Sequence, residues 1–155
     1  MYLKIYNLII NCFTKKYFQF KGRASRTEYN CFLLACFVIP TICELAIETF
    51  NSSEDVQTII GQFILIYNLY IFFPSLSITA RRVHDFNWSF GFYIYLLLAV
   101  TILPLPLLII LSVFNDWLYT LLGGVYIVCL SLVGFMPCFR KGNKEGNRYG
   151  EPPEY

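Results

Sequence analysis

Seven arginine, histidine and carboxylate side chains, carried by two short motifs, are the candidates for chemistry in this sequence. They are Arg23, Arg26, Glu28, Arg81, Arg82, His84 and Asp85. Planar guanidinium groups bind phosphate or carboxylate through paired hydrogen bonds, so the set is typical of an anion or headgroup site. Arginines among acids at helix ends are equally typical of a structural ion-pair cluster, and this is the interpretation we favour.

A catalytic interpretation depends on His84 and Asp85, which together could act as a general-base pair. Adjacent residues on a helix point in different directions, and the sequence places no Ser or Cys nucleophile beside them. One histidine cannot build a metal site alone, and the six cysteines include no C-x-x-C pair. We therefore expect no metal and no cofactor, and keep catalysis as the weakest alternative.

The composition of the chain indicates the class of protein in which these residues are positioned. The chain has 155 residues, of which 57% are hydrophobic and only 14% charged, whereas globular domains average about a quarter charged. This is the composition of a single membrane domain. A net charge of +2 is too small to indicate a nucleic-acid partner.

Four apolar segments are long enough to cross a bilayer, which takes about 20 helical residues. They lie at about 26–49, 56–80, 90–114 and 117–136. Ser25 and Glu28 have capping-box spacing directly before the first span, and Pro104 and Pro106 interrupt the third. Residues 137–155 are polar and rich in Gly and Pro, which predicts a loop or a disordered extension.

Residues 2–21 have a different pattern, with apolar and polar side chains on separate helical faces. This predicts an amphipathic helix in the membrane interface, with its lysines toward anionic headgroups. A helix packed against the rest of the bundle is the alternative. The predicted fold is therefore all-α, with four transmembrane helices and an N-terminal interfacial helix.

The basic residues predict the orientation of these spans. All twelve Lys and Arg fall at residues 4–26, 81–82 and 140–148, which four spans would place on one side. The positive-inside rule assigns that side to the cytoplasm, together with both termini. Residues 50–55 and 115–116 then lie outside.

This topology brings the two motifs to the same membrane face. We therefore expect at least one carboxylate of one motif within salt-bridge distance of an arginine of the other. Arg81 and Asp85 have the i,i+4 spacing of a helical ion pair, if the second helix continues by one turn.

The motifs also resemble those of a known family. Residues 20–29 (FKGRASRTEY), 81–85 (RRVHD) and 146–150 (GNRYG) are similar, in order and spacing, to the DUF805 family of small bacterial inner-membrane proteins. The resemblance implies a multi-span domain in the bacterial inner membrane, without an established activity. The chain departs from the family pattern at Asn30, where Trp is usual, and at residues 90–93, where a Gly-Trp pair is usual.

The expected function is that of a non-enzymatic binding or scaffold module. The expected partners are membrane lipids, including anionic headgroups, and a membrane protein or a second copy of the chain. A small transporter or channel is one alternative, with Gln62, Asn68 and the Pro104/Pro106 break as its candidate polar path. A phospholipid-modifying enzyme is the other.

Overall fold

The computed structural model describes residues 2–49, 53–106, 109 and 116–153. Within these ranges the fold is all-α, as predicted, and contains no strand. Its five helices are α1 (Tyr2–Phe13), α2 (Arg26–Thr49), α3 (Glu54–Asp85), α4 (Phe90–Ile102) and α5 (Asp116–Phe139).

Three segments are long and apolar enough to cross a membrane, namely Arg26–Ile47, Glu54–Asp85 and Thr120–Phe139. Large apolar side chains along them point outward, and Leu34 and Leu132 are 64% and 68% exposed. Lipid tails cover such surfaces, whereas water would disfavour them. The chain is therefore a multi-pass membrane protein.

The third predicted span, 90–114, is represented by α4, an apolar helix of 13 residues that ends at Ile102. Turn residues follow at Leu103 and Pro104, consistent with the helix break that a proline causes. The rest of that span falls largely on 107, 108 and 110–114, which lie outside the described residues. Four membrane crossings are thus not established by helix length alone.

The second span was predicted to end at residue 80, but α3 has 32 residues and ends at Asp85. At about 1.5 Å per residue it is about 48 Å long, which exceeds the hydrocarbon core of a bilayer. The RRVHD motif is consequently the last turn of a helix. A short connection follows, and the Ser89 hydroxyl accepts the N–H of Phe92 at 3.1 Å to begin α4.

At the start of α2 the Ser25 hydroxyl accepts the backbone N–H of Glu28 at 3.1 Å, as the capping-box prediction requires. The N-terminal helix ends at Phe13 rather than near residue 21. Its end packs on the bundle, because Phe13 lies against Phe32 of α2 with ring centroids 5.1 Å apart. These contacts favour the bundle-packed alternative for this part of α1.

Backbone hydrogen bonds join the helix ends near the RRVHD motif. The N–H of Ala24 donates to the carbonyl of Arg81 at 3.0 Å, and the N–H of Asn143 donates to the carbonyl of Asp85 at 2.9 Å. The start of α2, the end of α3 and the segment after α5 therefore meet at one end of the bundle, which we call the motif end. α4 begins there as well.

Candidate functional site: a buried ion-pair core

Five of the seven predicted site residues meet at the motif end. They are Arg23, Glu28, Arg81, Arg82 and Asp85, and we call this set the ion-pair core. Arg82 and Asp85 have no exposed surface, and Arg81 is 1% exposed. A buried charge is costly unless it is paired and hydrogen-bonded, so the partners of each group decide what the core can do.

Asp85 is the centre of one half of the core. Arg23 donates to its Oδ1 through Nε at 2.9 Å and approaches the same oxygen with Nη2 at 2.8 Å. Arg82, one turn earlier on α3, pairs with Oδ2. Both carboxylate oxygens are thus occupied by guanidinium groups, one of them from the other motif, which confirms the expected ion pair between the motifs.

The remaining donors of these two arginines point at backbone carbonyls. Arg23 donates to the carbonyls of Asn143, Glu145 and Gly150, the last two at 2.8 and 3.3 Å. These carbonyls belong to the segment after α5. That segment was predicted to be a loop or a disordered extension, and it is a folded loop closed over Arg23.

Arg82 extends the same arrangement to the end of α5. Its Nε donates to the carbonyl of Pro137 at 2.8 Å, and Nη2 donates to that of Arg140. The last carbonyls of a helix lack intrahelical partners and carry partial negative charge. Arg82 therefore caps α5 while it pairs with Asp85 on α3.

Glu28 is the centre of the second half. Arg81 Nη1 and Lys16 Nζ both donate to its Oε1, at 2.7 and 2.9 Å. The predicted i,i+4 pair between Arg81 and Asp85 is wrong. Both arginines are within one helical turn of Asp85, but Arg81 is directed across to Glu28 at the start of α2, whereas Arg82 is directed to Asp85.

Cys12 of α1 lies against this second half. Its thiol is 3.6 Å from Glu28 Oε1 and 4.0 Å from Arg81 Nη2. Burial raises the pKa of Cys12 to about 11, the Glu28 charge adds to the increase, and Arg81 opposes it. The thiol is therefore neutral at physiological pH and serves as a buried packing group.

His84 does not face the Asp85 carboxylate. Its Nδ1 is 3.3 Å from the carbonyl of Gly22, and its ring stacks on Tyr149 with centroids 3.8 Å apart and planes 7° from parallel. Asn147 Nδ2 donates to the His84 carbonyl at 2.9 Å. His84 thus anchors the C-terminal loop, and the geometry does not support a His84–Asp85 general-base pair.

Arg26 is the predicted site residue that lies apart from the core. It is exposed and takes part in none of the ion pairs among the described residues. The reason is helical geometry, because residues two positions apart lie on opposite faces of a helix. Glu28 faces inward on α2, and Arg26 therefore faces outward.

Sequence reasoning missed Lys16, Cys12 and the loop carbonyls. Lys16 had been assigned to the membrane interface from its charge alone. The loop carbonyls have no side-chain signature, but two glycines in the loop mark positions where a side chain would not fit the backbone conformation or the available space. Gly150 adopts φ +126°, which L side chains rarely adopt, and a Cβ at Gly142 would lie 1.8 Å from Asp85 Oδ2.

In a comparison with known protein families, a family model matches residues 17–151. It is described as a protein of unknown function, DUF805. The match spans the ion-pair core, all the helices after α1 and most of the C-terminal loop. No curated protein and no solved structure matches the chain.

Proposed function

This chain belongs to the DUF805 family of proteins of unknown function, and we propose that it is a non-enzymatic membrane module in which the ion-pair core fixes the helix ends. The module presents a basic surface at the motif end to partners at the membrane. Binding or scaffolding, rather than turnover, is its role.

The observation that carries this proposal is the saturation of Asp85, Arg23 and Arg82 by one another and by main-chain carbonyls. The side chains of Arg23 and Asp85 are 1% and 0% exposed. A substrate phosphate would have to displace Asp85 or the C-terminal loop before it reached either guanidinium. Charged groups that are already paired and excluded from water stabilise the fold, whereas a catalytic acid or base must reach its substrate.

Exposed basic residues surround the core, and we call them the basic rim. They are Lys15, Lys21, Arg26, Arg140, Lys141, Lys144 and Arg148. By the positive-inside rule we place the motif end in the cytoplasm of a bacterial inner membrane, with both termini on that side. Each rim charge near an anionic leaflet contributes about 1 kcal/mol of attraction.

Connectivity supports a fourth crossing within this proposal. Phe90 begins α4 at the motif end, and α5, which ends there at Phe139, has 24 residues. At about 1.5 Å per residue its start lies about 36 Å away. A chain that runs from Phe90 at the motif end to the far start of α5 supports a fourth crossing, of which α4 covers the first part.

The test is a pair of reconstitution assays on the full-length protein. Vesicles that contain the protein should show neither phospholipid turnover nor ion flux above empty vesicles, and His84→Ala should give the same result. Turnover that disappears in His84→Ala would overturn the proposal in favour of a lipid-modifying enzyme. Flux that depends on Asn68 would overturn it in favour of a transporter.

A further inference from the structure

Aromatic side chains cover the contact between α3 and the segment that joins α1 to α2, and none of them belongs to the ion-pair core. They are Tyr17, Phe18 and Phe20 of the segment and Tyr70, Phe72 and Phe73 of α3, and we call them the aromatic collar. The Phe18 and Phe73 ring centroids lie 5.2 Å apart, and those of Tyr17 and Tyr70 lie 5.3 Å apart. Phe18 and Phe72 remain 64% and 55% exposed, so the collar presents an apolar surface to its surroundings.

Hydrogen bonds hold the segment at a defined height along α3. The Tyr17 hydroxyl donates to the carbonyl of Tyr70 at 2.6 Å. The Ser77 hydroxyl lies 2.7 and 3.0 Å from the carbonyls of Gln19 and Lys16. The segment is therefore fixed beside about two turns of α3, between Tyr70 and Ser77.

The length of α3 places the edge of the hydrocarbon at the same height. Its first residues, Glu54 and Asp55, are exposed acids, which the hydrocarbon disfavours. A crossing takes about 20 helical residues, and a count from Val56 ends at Ser75. Residues 76–85 then extend about 15 Å beyond the hydrocarbon, at about 1.5 Å per residue.

The backbone of the segment gives an independent reason for the same placement. Residues 14–21 form turns and irregular structure rather than a helix. Irregular backbone exposed to lipid does not occur within the hydrocarbon, because its polar groups would lack partners. Since the exposed Phe18 ring is also unsuited to water, the segment lies at the interface, where apolar rings are buried at the boundary of the acyl chains. Lys15 is exposed in the same segment, and its charge suits the phosphates of an anionic leaflet.

These observations identify the partner of this surface. We propose that the aromatic collar and Lys15 form an anchor that docks on the anionic leaflet at the motif end and sets the depth of the protein in the bilayer. The headgroup layer of one leaflet is about 5–8 Å thick, whereas Asp85 lies about 15 Å beyond the hydrocarbon. The ion-pair core and the C-terminal loop therefore project through the headgroups into water. This proposal deepens the membrane-module function and rests on its placement in the bilayer.

Fluorescence quenching by brominated lipids can measure this depth. Full-length protein that carries Trp88→Phe and Trp117→Phe receives one tryptophan, by Phe18→Trp, Phe72→Trp or Glu145→Trp, and is reconstituted in vesicles. Bromine near the headgroup end of the acyl chain should quench Phe18→Trp and Phe72→Trp more strongly than bromine near the chain end. Neither lipid should quench Glu145→Trp, in the C-terminal loop. Thermal unfolding verifies that each variant is folded, and two collar positions keep the test decisive if one substitution fails.

The Phe18→Trp probe also measures the role of Lys15. The vesicles contain phosphatidylglycerol and phosphatidylcholine, with bromine on one lipid or the other. Phosphatidylglycerol should be enriched about fivefold beside the probe, because one basic residue at an anionic surface is worth about 1 kcal/mol. Lys15→Gln should remove most of this enrichment. The matched control is Lys144→Gln in the C-terminal loop, which lies beyond a Debye length of about 8 Å from the leaflet and should change the enrichment by less than about twofold.

Four results would overturn the proposal. Stronger quenching of Phe18→Trp from the chain end would place the segment inside the hydrocarbon, and no quenching would place it in water. Quenching of Glu145→Trp equal to that of Phe18→Trp would place the loop in the bilayer. Equal losses of enrichment in Lys15→Gln and Lys144→Gln would mean that only non-specific charge attracts the lipid. None of these results bears on turnover or flux, so the anchor can fail while the membrane-module function stands.

Discussion

Arg23 and Asp85 are 62 residues apart in the sequence, yet Arg23 Nε donates to Asp85 Oδ1 at 2.9 Å. The same guanidinium also donates to the Asp85 carbonyl at 3.4 Å. This pair joins the segment before α2 to the last turn of α3. It thereby ties the connection between α1 and α2 to the end of α3 through one carboxylate.

Asp85→Asn should destabilise the protein strongly. The substitution leaves Arg23 and Arg82 buried with a neutral partner, and breaking a buried ion pair costs about 3–5 kcal/mol. Chemical unfolding of the purified protein measures the loss. Asp55→Asn, at the exposed start of α3, is the matched control and should cost less than about 1 kcal/mol. Similar losses in both variants would contradict a structural role for Asp85.

Double-mutant cycles should divide the core into its two halves. Arg81→Gln with Glu28→Gln should give a coupling energy of at least about 1 kcal/mol, because the two side chains share a buried bond. Arg81→Gln with Asp85→Asn should couple more weakly, since Arg81 does not bind Asp85. Unfolding free energies of the single and double variants provide the test, and the reverse order of couplings would contradict this division.

Gly142→Ala should release the C-terminal loop. Its Cβ would stand 1.8 Å from Asp85 Oδ2, and both oxygens of Asp85 are held by arginines. The loop should then become sensitive to limited proteolysis between residues 140 and 150. Gly91→Ala is the control, because a Cβ there meets no atom within 4 Å. Unchanged protease resistance in Gly142→Ala would show that the loop is not held as described.

The Cys12 thiol should react slowly with alkylating reagents in the native protein. Its pKa is raised to about 11, so little thiolate is present at pH 8. Because the folded-state pKa lies above the unfolded value, this group's contribution to stability is complete below about pH 9 and is lost as the pH rises through 11. Labelling of a variant that retains only Cys12, in native and denatured protein, tests this. Equal rates would contradict the burial of Cys12.

Cysteine accessibility tests the orientation. In a cysteine-free background, Ser53→Cys should be labelled by an impermeant reagent from outside intact cells. Glu145→Cys should be labelled only after permeabilisation, because all basic clusters lie on its side of the membrane. Both positions are exposed. Outside labelling of Glu145→Cys would reverse the proposed orientation.

Sequence patterns predicted the helical class, the start of α2 directly after Ser25 and the meeting of the two motifs. These features depend on local capping, apolar length and charge, which a sequence displays directly. The sequence did not reveal that α3 continues through Asp85 or that Arg26 turns away from Glu28. The continuation of α3 depends on tertiary partners at the helix end. The outward direction of Arg26 follows from helical phase and could have been recognised in the sequence.

The closure of the C-terminal loop over Arg23 was beyond sequence reasoning. Arg23 binds the loop through main-chain carbonyls at Glu145 and Gly150, and every residue type has a carbonyl. Only the backbone path decides which ones reach the guanidinium. Charge had suggested that the seven predicted residues form one cluster, with a structural ion-pair network favoured over an anion site, whereas the structure gives an ion-pair core of five of them and an outward Arg26.

The position of the loop in the chain has a consequence for biosynthesis. Arg23 and Asp85 are translated before residues 143–150, whose backbone carbonyls complete the hydrogen bonds of the Arg23 guanidinium. During translation, α2 and α3 can therefore pair while Arg23 is still open to water. Assembly of the motif end is completed only when the last segment emerges and docks, so the loop acts as the closing step of maturation.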